Sequence, residues 1–200
     1  MTDLGVLPGL SFSNSRTISN TGLVAGDSTR NGGPPFHAVL WQKNGQILGL
    51  GTLPGGFASF AIGVNELGQV VGASRTANRN VHAFLWQDKV ISDLGTLLTT
   101  DTQSVARAIN DRGQIVGESS QFIGDPPAGQ RHSVLWENGE ITDLGSLGGI
   151  SGTARAINSL GQIVGQSTLA SGDTHGFIWE NGTMNDLGTL GGKLQRSGQH

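Results

Sequence analysis

The chain has 200 residues, 36% hydrophobic and 14% charged, which is enough for one domain with a sizeable core. A formal charge of −3 without any block of like charges leaves no footprint for nucleic acid or anionic membrane surfaces. The absence of cysteine excludes disulfides and thiolate zinc sites, and no apolar run reaches the ~20 residues of a spanning helix.

In chain order, the sequence enters on Asp3-Leu4-Gly5-Val6-Leu7 with no basic and apolar leader ahead of it. This segment recurs as Gly49 to Leu53, Asp93 to Leu97, Asp143 to Leu147 and Asp186 to Leu190, five copies in all. Next comes Ser15 to Ser28 (SRTISNTGLVAGDS), a worn copy of Ala61 to Ser74, Ala106 to Ser119 (ARAINDRGQIVGES) and Ala154 to Ser167, each fourteen residues long without a gap. Then follows His37 to Trp41, repeated at His82 to Trp86, His132 to Trp136 and His175 to Trp179. Self-similarity at a fixed period outranks any single motif for reading the fold.

The apolar runs are short, rich in Val, Ile, Leu and Trp, bounded by Gly, Asn and Asp, and never show a helical period, so almost no helix is expected. The 33 glycines fall at fixed places in the repeats and are read as turns. Asn44-Gly45, Asn138-Gly139 and Asn181-Gly182 are two-residue hairpin signals, with Gln87-Asp88-Lys89 standing in for them once. One strand is assigned to each of four landmarks, A-x-A-I-N, G-Q-I-V-G, H-x-x-x-W and D-L-G-T-L. That makes four antiparallel strands in about 46 residues, which is one propeller blade.

The fold class expected is therefore all-β, a β-propeller of four such repeats, about 5–50, 51–94, 95–144 and 145–190, with 191–200 as a tail. A stack of hairpins or a two-sheet sandwich is the structural rival. Five D-type segments against four of every other kind imply that one is spare. Either Asp3 to Leu7 or Asp186 to Leu190, not both, is expected as the outer strand of the seam blade. The rival is an open arc of four blades that dimerises into a larger ring, so the chain is expected as a monomer or a homodimer.

H-A-F-L-W at His82 to Trp86, D-L-G-T-L-G-G at Asp186 to Gly192 and A-I-N-x-x-G-Q-I-V-G together resemble the HAF repeat family, probable extracellular repeats of bacteria. The resemblance covers nearly the whole chain. It implies repeat identity and an extracellular or envelope location, and no general activity.

Four recurring histidines, His37, His82, His132 and His175, lie on third strands too far from an axis to converge on one ion, so they are read as hydrogen-bonding between neighbouring blades. Trp41, Trp86, Trp136 and Trp179 are read as inter-blade packing. Ser28, Ser74, Ser119 and Ser167 end G-x-S without the second glycine of a nucleophile elbow, and are read as bonding the backbone. Arg16, Arg107 and Arg155 share one position on the innermost strand and are candidates for an axial anion site, with pairing to Asp or Glu as the alternative.

Connections between second and third strands vary in length while the others are nearly constant, so binding residues are expected on the loop face they share with the fourth-to-first connections. The candidates there are Asn78, Arg79, Asn80, Asp101, Gln121, Phe122, Asp125, Arg131 and Asp173. The function expected is a non-enzymatic binding module for an extracellular or envelope ligand, a small molecule, glycan or protein, with no nucleic acid, membrane span or cofactor. The alternative is a hydrolase of lactones or esters, with Ca or Zn possible, using loop carboxylates and a histidine on the axis.

Overall fold

The computed structural model describes residues 3–121 and 130–189, and these hold sixteen strands and no helix. The strands form four consecutive antiparallel meanders. The first is β1 (Phe12–Ile18), β2 (Val24–Thr29), β3 (Phe36–Trp41) and β4 (Ile47–Gly51). The second is β5 (Ser59–Val64), β6 (Val70–Arg75), β7 (Val81–Gln87) and β8 (Val90–Gly95). The third is β9 (Gln103–Ile109), β10 (Ile115–Ser120), β11 (Arg131–Glu137) and β12 (Glu140–Asp143). The fourth is β13 (Gly148–Ile157), β14 (Ile163–Leu169), β15 (Thr174–Glu180) and β16 (Thr183–Asp186). First strands lie against one another, β1 on β5, β5 on β9 and β9 on β13, and so make the inner layer.

The fourth strand begins earlier than the D-L-G-T-L landmark suggests. The Asp-Leu-Gly part ends the strand or leaves it, and the rest is a connector to the next meander. The cause is an Asx turn: Gly95, Gly145 and Gly188 have φ of 71, 82 and 67°, and their N–H groups donate to Asp93, Asp143 and Asp186 two residues before, at 2.7 to 2.9 Å. Asp3 to Leu7 repeats this geometry, with Gly5 N–H on Asp3, but belongs to no strand. The spare fifth copy is thus a connector.

The glycine of G-x-S is also not a turn residue. Each inner strand carries a bulge, as between Ala61 and Gly63 opposite β6, and the bulge pushes a backbone carbonyl towards the second strand. A Cβ at Gly72 or Gly117 would overlap the carbonyl of Phe60 or Val105. Only glycine fits there.

Neighbouring meanders bury three apolar clusters. Ala25, Leu40 and Leu50 of the first pack on Ala61, Val70, Phe84 and Trp86 of the second. Val71 and Ala83 meet Ala106, Ile115, Val134 and Trp136; Val116, Leu135 and Leu144 meet Ala154, Ile163 and Phe177. Burying a side chain such as Phe84, fully covered, contributes about 2 to 3 kcal/mol. Trp86, Trp136 and Trp179 thus serve inter-meander packing, while Trp41 belongs to none of these clusters. Along the inner layer Asn65 Nδ2 donates to the Asn110 carbonyl at 3.1 Å, and Asn110 Nδ2 to the Asn158 carbonyl at 3.0 Å.

Closure does not follow the expectation. The first meander is a sheet of its own, and no strand pairs it with the fourth among the described residues. Among the described residues neither end completes a seam sheet: β16 pairs with β15 of its own meander, while Asp3 to Leu7 lies on the first meander with Gly5 O accepting from Trp41 Nε1 at 3.3 Å, and Leu190 of the expected last strand lies outside the described residues.

Candidate functional site

The recurring polar side chains are consumed by the scaffold. Ser28, Ser74, Ser119 and Ser167 each accept the N–H of a connector leucine, Leu7, Leu53, Leu97 and Leu147, at 2.9 to 3.4 Å. Gln69, Gln114 and Gln162 donate from one hairpin to Gln87, Glu137 and Glu180 on the next. His82, His132 and His175 do not bridge meanders as expected. Each sets Nδ1 2.8 to 2.9 Å from Asp93, Asp143 or Asp186 of the same meander. His37 lacks this partner because Gly49 replaces the aspartate. The Asp186 carboxyl is held below the ordinary range, first by the Gly188 N–H and then by His175.

The three inner arginines do not form a ring of free cations. Arg16 Nε binds Asp27, which is 2% exposed, at 2.7 Å, and its guanidinium lies 5.7 Å above the Phe60 ring. Arg107 binds Glu118 at 2.9 Å, and the same carboxylate accepts from Thr153 Oγ1 at 2.7 Å and lies 3.8 Å from Arg131. Two buried carboxylates are thereby compensated. Arg155 is exposed, and Gln166 stands where Asp27 and Glu118 sit, so it has no such partner among the described residues.

On the loop end, Asn78 and Arg79 are exposed and Asn80 is half-buried. Their loop is pinned by its backbone: Thr76 N–H donates to Asn80, Arg79 N–H to Thr76, and the Arg75 guanidinium to the Arg79 carbonyl. Arg79 takes a φ of 65°. Asp173 is exposed beside Ser171, Gln121 is exposed, and Phe122 and Asp125 lie outside the described residues. Asp101 is instead 8% exposed and accepts from Ser119 Oγ at 2.7 Å, which makes it a support of the connector. Arg131 borders a polar cavity of about 90 Å³ with Thr153, Gln166, Thr168 and Thr174 between the last two meanders.

Sequence reasoning missed Phe57, 55% exposed on the β4–β5 connector. Gly55 and Gly56 of that connector pack so closely on Ala77 and Arg75 that a Cβ at either would collide, which brings Phe57's connector against the Asn78–Arg79 loop. Leu98 is exposed on the β8–β9 connector and Ile150 near the start of β13. The available signal was an apolar side chain breaking a run of Gly, Pro and Ser. A second groove of about 330 Å³, lined by Gln69, Gln87, Asp93, Arg112, Trp136 and Glu137, opens at the opposite end, which sequence reasoning passed over because its turns are constant in length. Among the described residues no three His, Asp or Glu side chains gather where a metal ion could be held, and no helix is long and apolar enough to cross a membrane.

No family model matches the chain and no curated protein matches it, so the likeness to HAF repeats rests on the quoted motifs alone. Among solved structures the chain is similar to the β-propeller domain of the Trilobed protease from Pyrococcus furiosus, described as having an open velcro topology. The identity is 13% and the TM-score 0.57, over 91% of this chain and 56% of that one. It is also similar to the Pyrococcus horikoshii acylaminoacyl peptidase, at 13% identity and a TM-score of 0.53, over 89% of this chain and 27% of that one. The chain thus spans about half the length of the first and about a quarter of the second. These likenesses show a propeller-like all-β fold.

Proposed function

We propose that the chain is an arc of four propeller blades, one per repeat, and that it is a binding module rather than a catalyst, recognising an extracellular or envelope glycan. The observation that carries this reading is Phe57, exposed on a connector whose Gly55 and Gly56 pack on Ala77 and Arg75 of the backbone-pinned loop that carries the exposed Asn78 and Arg79. An exposed aromatic ring on a connector joined in this way to a loop bearing amide and guanidinium groups suits a sugar, whose C–H face stacks on the ring while its hydroxyls take the donors. The serines, asparagines, glutamines and histidines that recur are occupied in holding strands and repeats, so recognition falls to residues that do not recur. The test is retention of the chain on a panel of immobilised bacterial polysaccharides, compared with Phe57→Ala/Arg79→Ala. Retention of the wild type that falls at least tenfold in the variant, at unchanged melting temperature, supports the reading. No retention on any polysaccharide, or equal retention of both, overturns it.

That two of the similar solved structures are a domain of a protease and an acylaminoacyl peptidase speaks for the alternative, a hydrolase of lactones or esters. Against it stands that, among the described residues, His82, His132 and His175 lie on Asp93, Asp143 and Asp186 of their own meanders while Asp101 and Asp173 are engaged by serines. Chelator-sensitive turnover of a generic ester or lactone would establish it.

A further inference from the structure

We propose that two copies of this chain associate head to tail, the last meander of each seating on the first meander of the other through the same interface that joins meanders within the chain. That internal interface is used three times with equivalent positions. Its forward half is one apolar residue on the second strand, Ala25, Val71 or Val116, all fully covered, together with a leucine on the third strand and another at the end of the fourth. In the fourth meander the equivalents have nothing in front of them among the described residues: Val164 is 40% exposed and Leu187 61%, where Val116 is fully buried and Leu144 is 5% exposed.

The receiving half is bare at its inner edge, where Ile18 on β1 is 68% exposed against 8% for its counterpart Ile109 on β9, while Val39 and Trp41 further out on β3 are already covered. The asparagine bond that crosses the interface stops at the fourth meander. Asn65, Asn110 and Asn158 all donate to the glutamine of their own hairpin, and Asn65 and Asn110 also reach a following carbonyl, a bond that Asn158 lacks among the described residues. The N–H groups of Asn20 and Thr21 bind Glu66 of the next repeat, and Glu66 N–H binds Asp111 of the one after.

The occupant that matches both halves is another repeat of this kind, and a second copy supplies one at each end. No strand of the first meander pairs with the fourth among the described residues, so the two faces are not joined to each other by a shared sheet. Asp3 to Leu7 already fills, on the first meander, the seat of an internal connector, with Leu7 N–H on Ser28. The seam therefore accepts the connector of one copy only, and Gly188 and Thr189, which follow Leu187 in the docking copy, stay outside it.

The experiment is sedimentation velocity on the full chain at 1 to ~100 μM. The expected particle is twice 20.7 kDa. Ile18→Asp and Val164→Asp, both at exposed positions and so compatible with folding, each weaken the seam and leave predominantly monomer with unchanged circular dichroism. Mixing the two variants restores a dimer, because the Ile18 face of one and the Val164 face of the other remain intact. A wild type that is monomeric throughout, a dimer that survives both substitutions, or a mixture that stays monomeric overturns the proposal.

Discussion

Ser133 on β11 and Gly152 on β13 have exchanged a hydroxyl relative to their counterparts. In the earlier repeats Ala38 and Ala83 donate their N–H groups to the hydroxyls of Ser59 and Ser104 on the following inner strand, at 3.0 and 2.8 Å, and those hydroxyls donate to Gly51 and Gly95. At the third interface the hydroxyl is on the outer partner, and a Cβ on Gly152 would lie 2.5 Å from Ser133 Oγ. Two hydroxyls do not fit. Gly152→Ser alone should therefore destabilise by about 1 to 3 kcal/mol through overpacking. Ser133→Ala alone should be nearly neutral, since that hydroxyl is buried without a partner. The double variant should recover wild-type stability in a urea titration, and a double as unstable as Gly152→Ser defeats the exchange.

Gly117→Ala should cost about 3 kcal/mol, at the upper end of overpacking, because the added methyl meets the fixed carbonyl of Val105 at the bulge. An unchanged denaturation midpoint would show that β9 shifts to make room.

The turn between β7 and β8 holds two non-glycine residues at positive φ, Asp88 at 52° and Lys89 at 66°, where the later hairpins use Asn-Gly. Lys89→Gly should raise stability by about 0.5 to 1 kcal/mol, visible as a higher melting temperature. A lower one would mean that the lysine side chain contributes more than the strain it carries.

Glu66 links the first two meanders by accepting the N–H groups of Asn20 and Thr21, both at 2.7 Å. Its folded-state pKa lies below the ordinary value, chiefly through the Asn20 N–H. Its contribution is therefore complete above the ordinary glutamate pKa of about 4.3 and is lost as the pH falls through the lower folded value. Stability of the wild type should fall more steeply than that of Glu66→Gln as the pH is lowered below 4.3, by the same principle. Parallel curves would remove Glu66 from the acid response.

Strand order was legible because Ala106 to Ser119 and its copies carry both the first two strands and the hairpin between them, so a local pattern spelled out local pairing. The D-L-G-T-L landmark misled because its leucines look like strand residues. Their burial comes from the connector lying on the next meander, and the Asp-x-Gly spacing that marks the Asx turn was the cue to separate them. The histidine partners were hidden for another reason: His132 and Asp143 meet only once β11 and β12 are in register, and nothing local in either segment announces the other. Phe57 escaped because exposure of a single apolar residue is decided by what packs on its connector, not by its neighbours in sequence. Closure failed as an expectation because counting segments says nothing about the angle between successive meanders.

The Asn65 to Asn110 to Asn158 ladder runs one way, each side chain reaching for the carbonyl of the repeat after it. A whole repeat cut out or copied between two such asparagines leaves every remaining donor with an acceptor of the same kind. Unequal crossing-over inside a gene of this design is therefore structurally silent at the ladder, and array length is free to drift over generations while the inter-repeat joint stays the same.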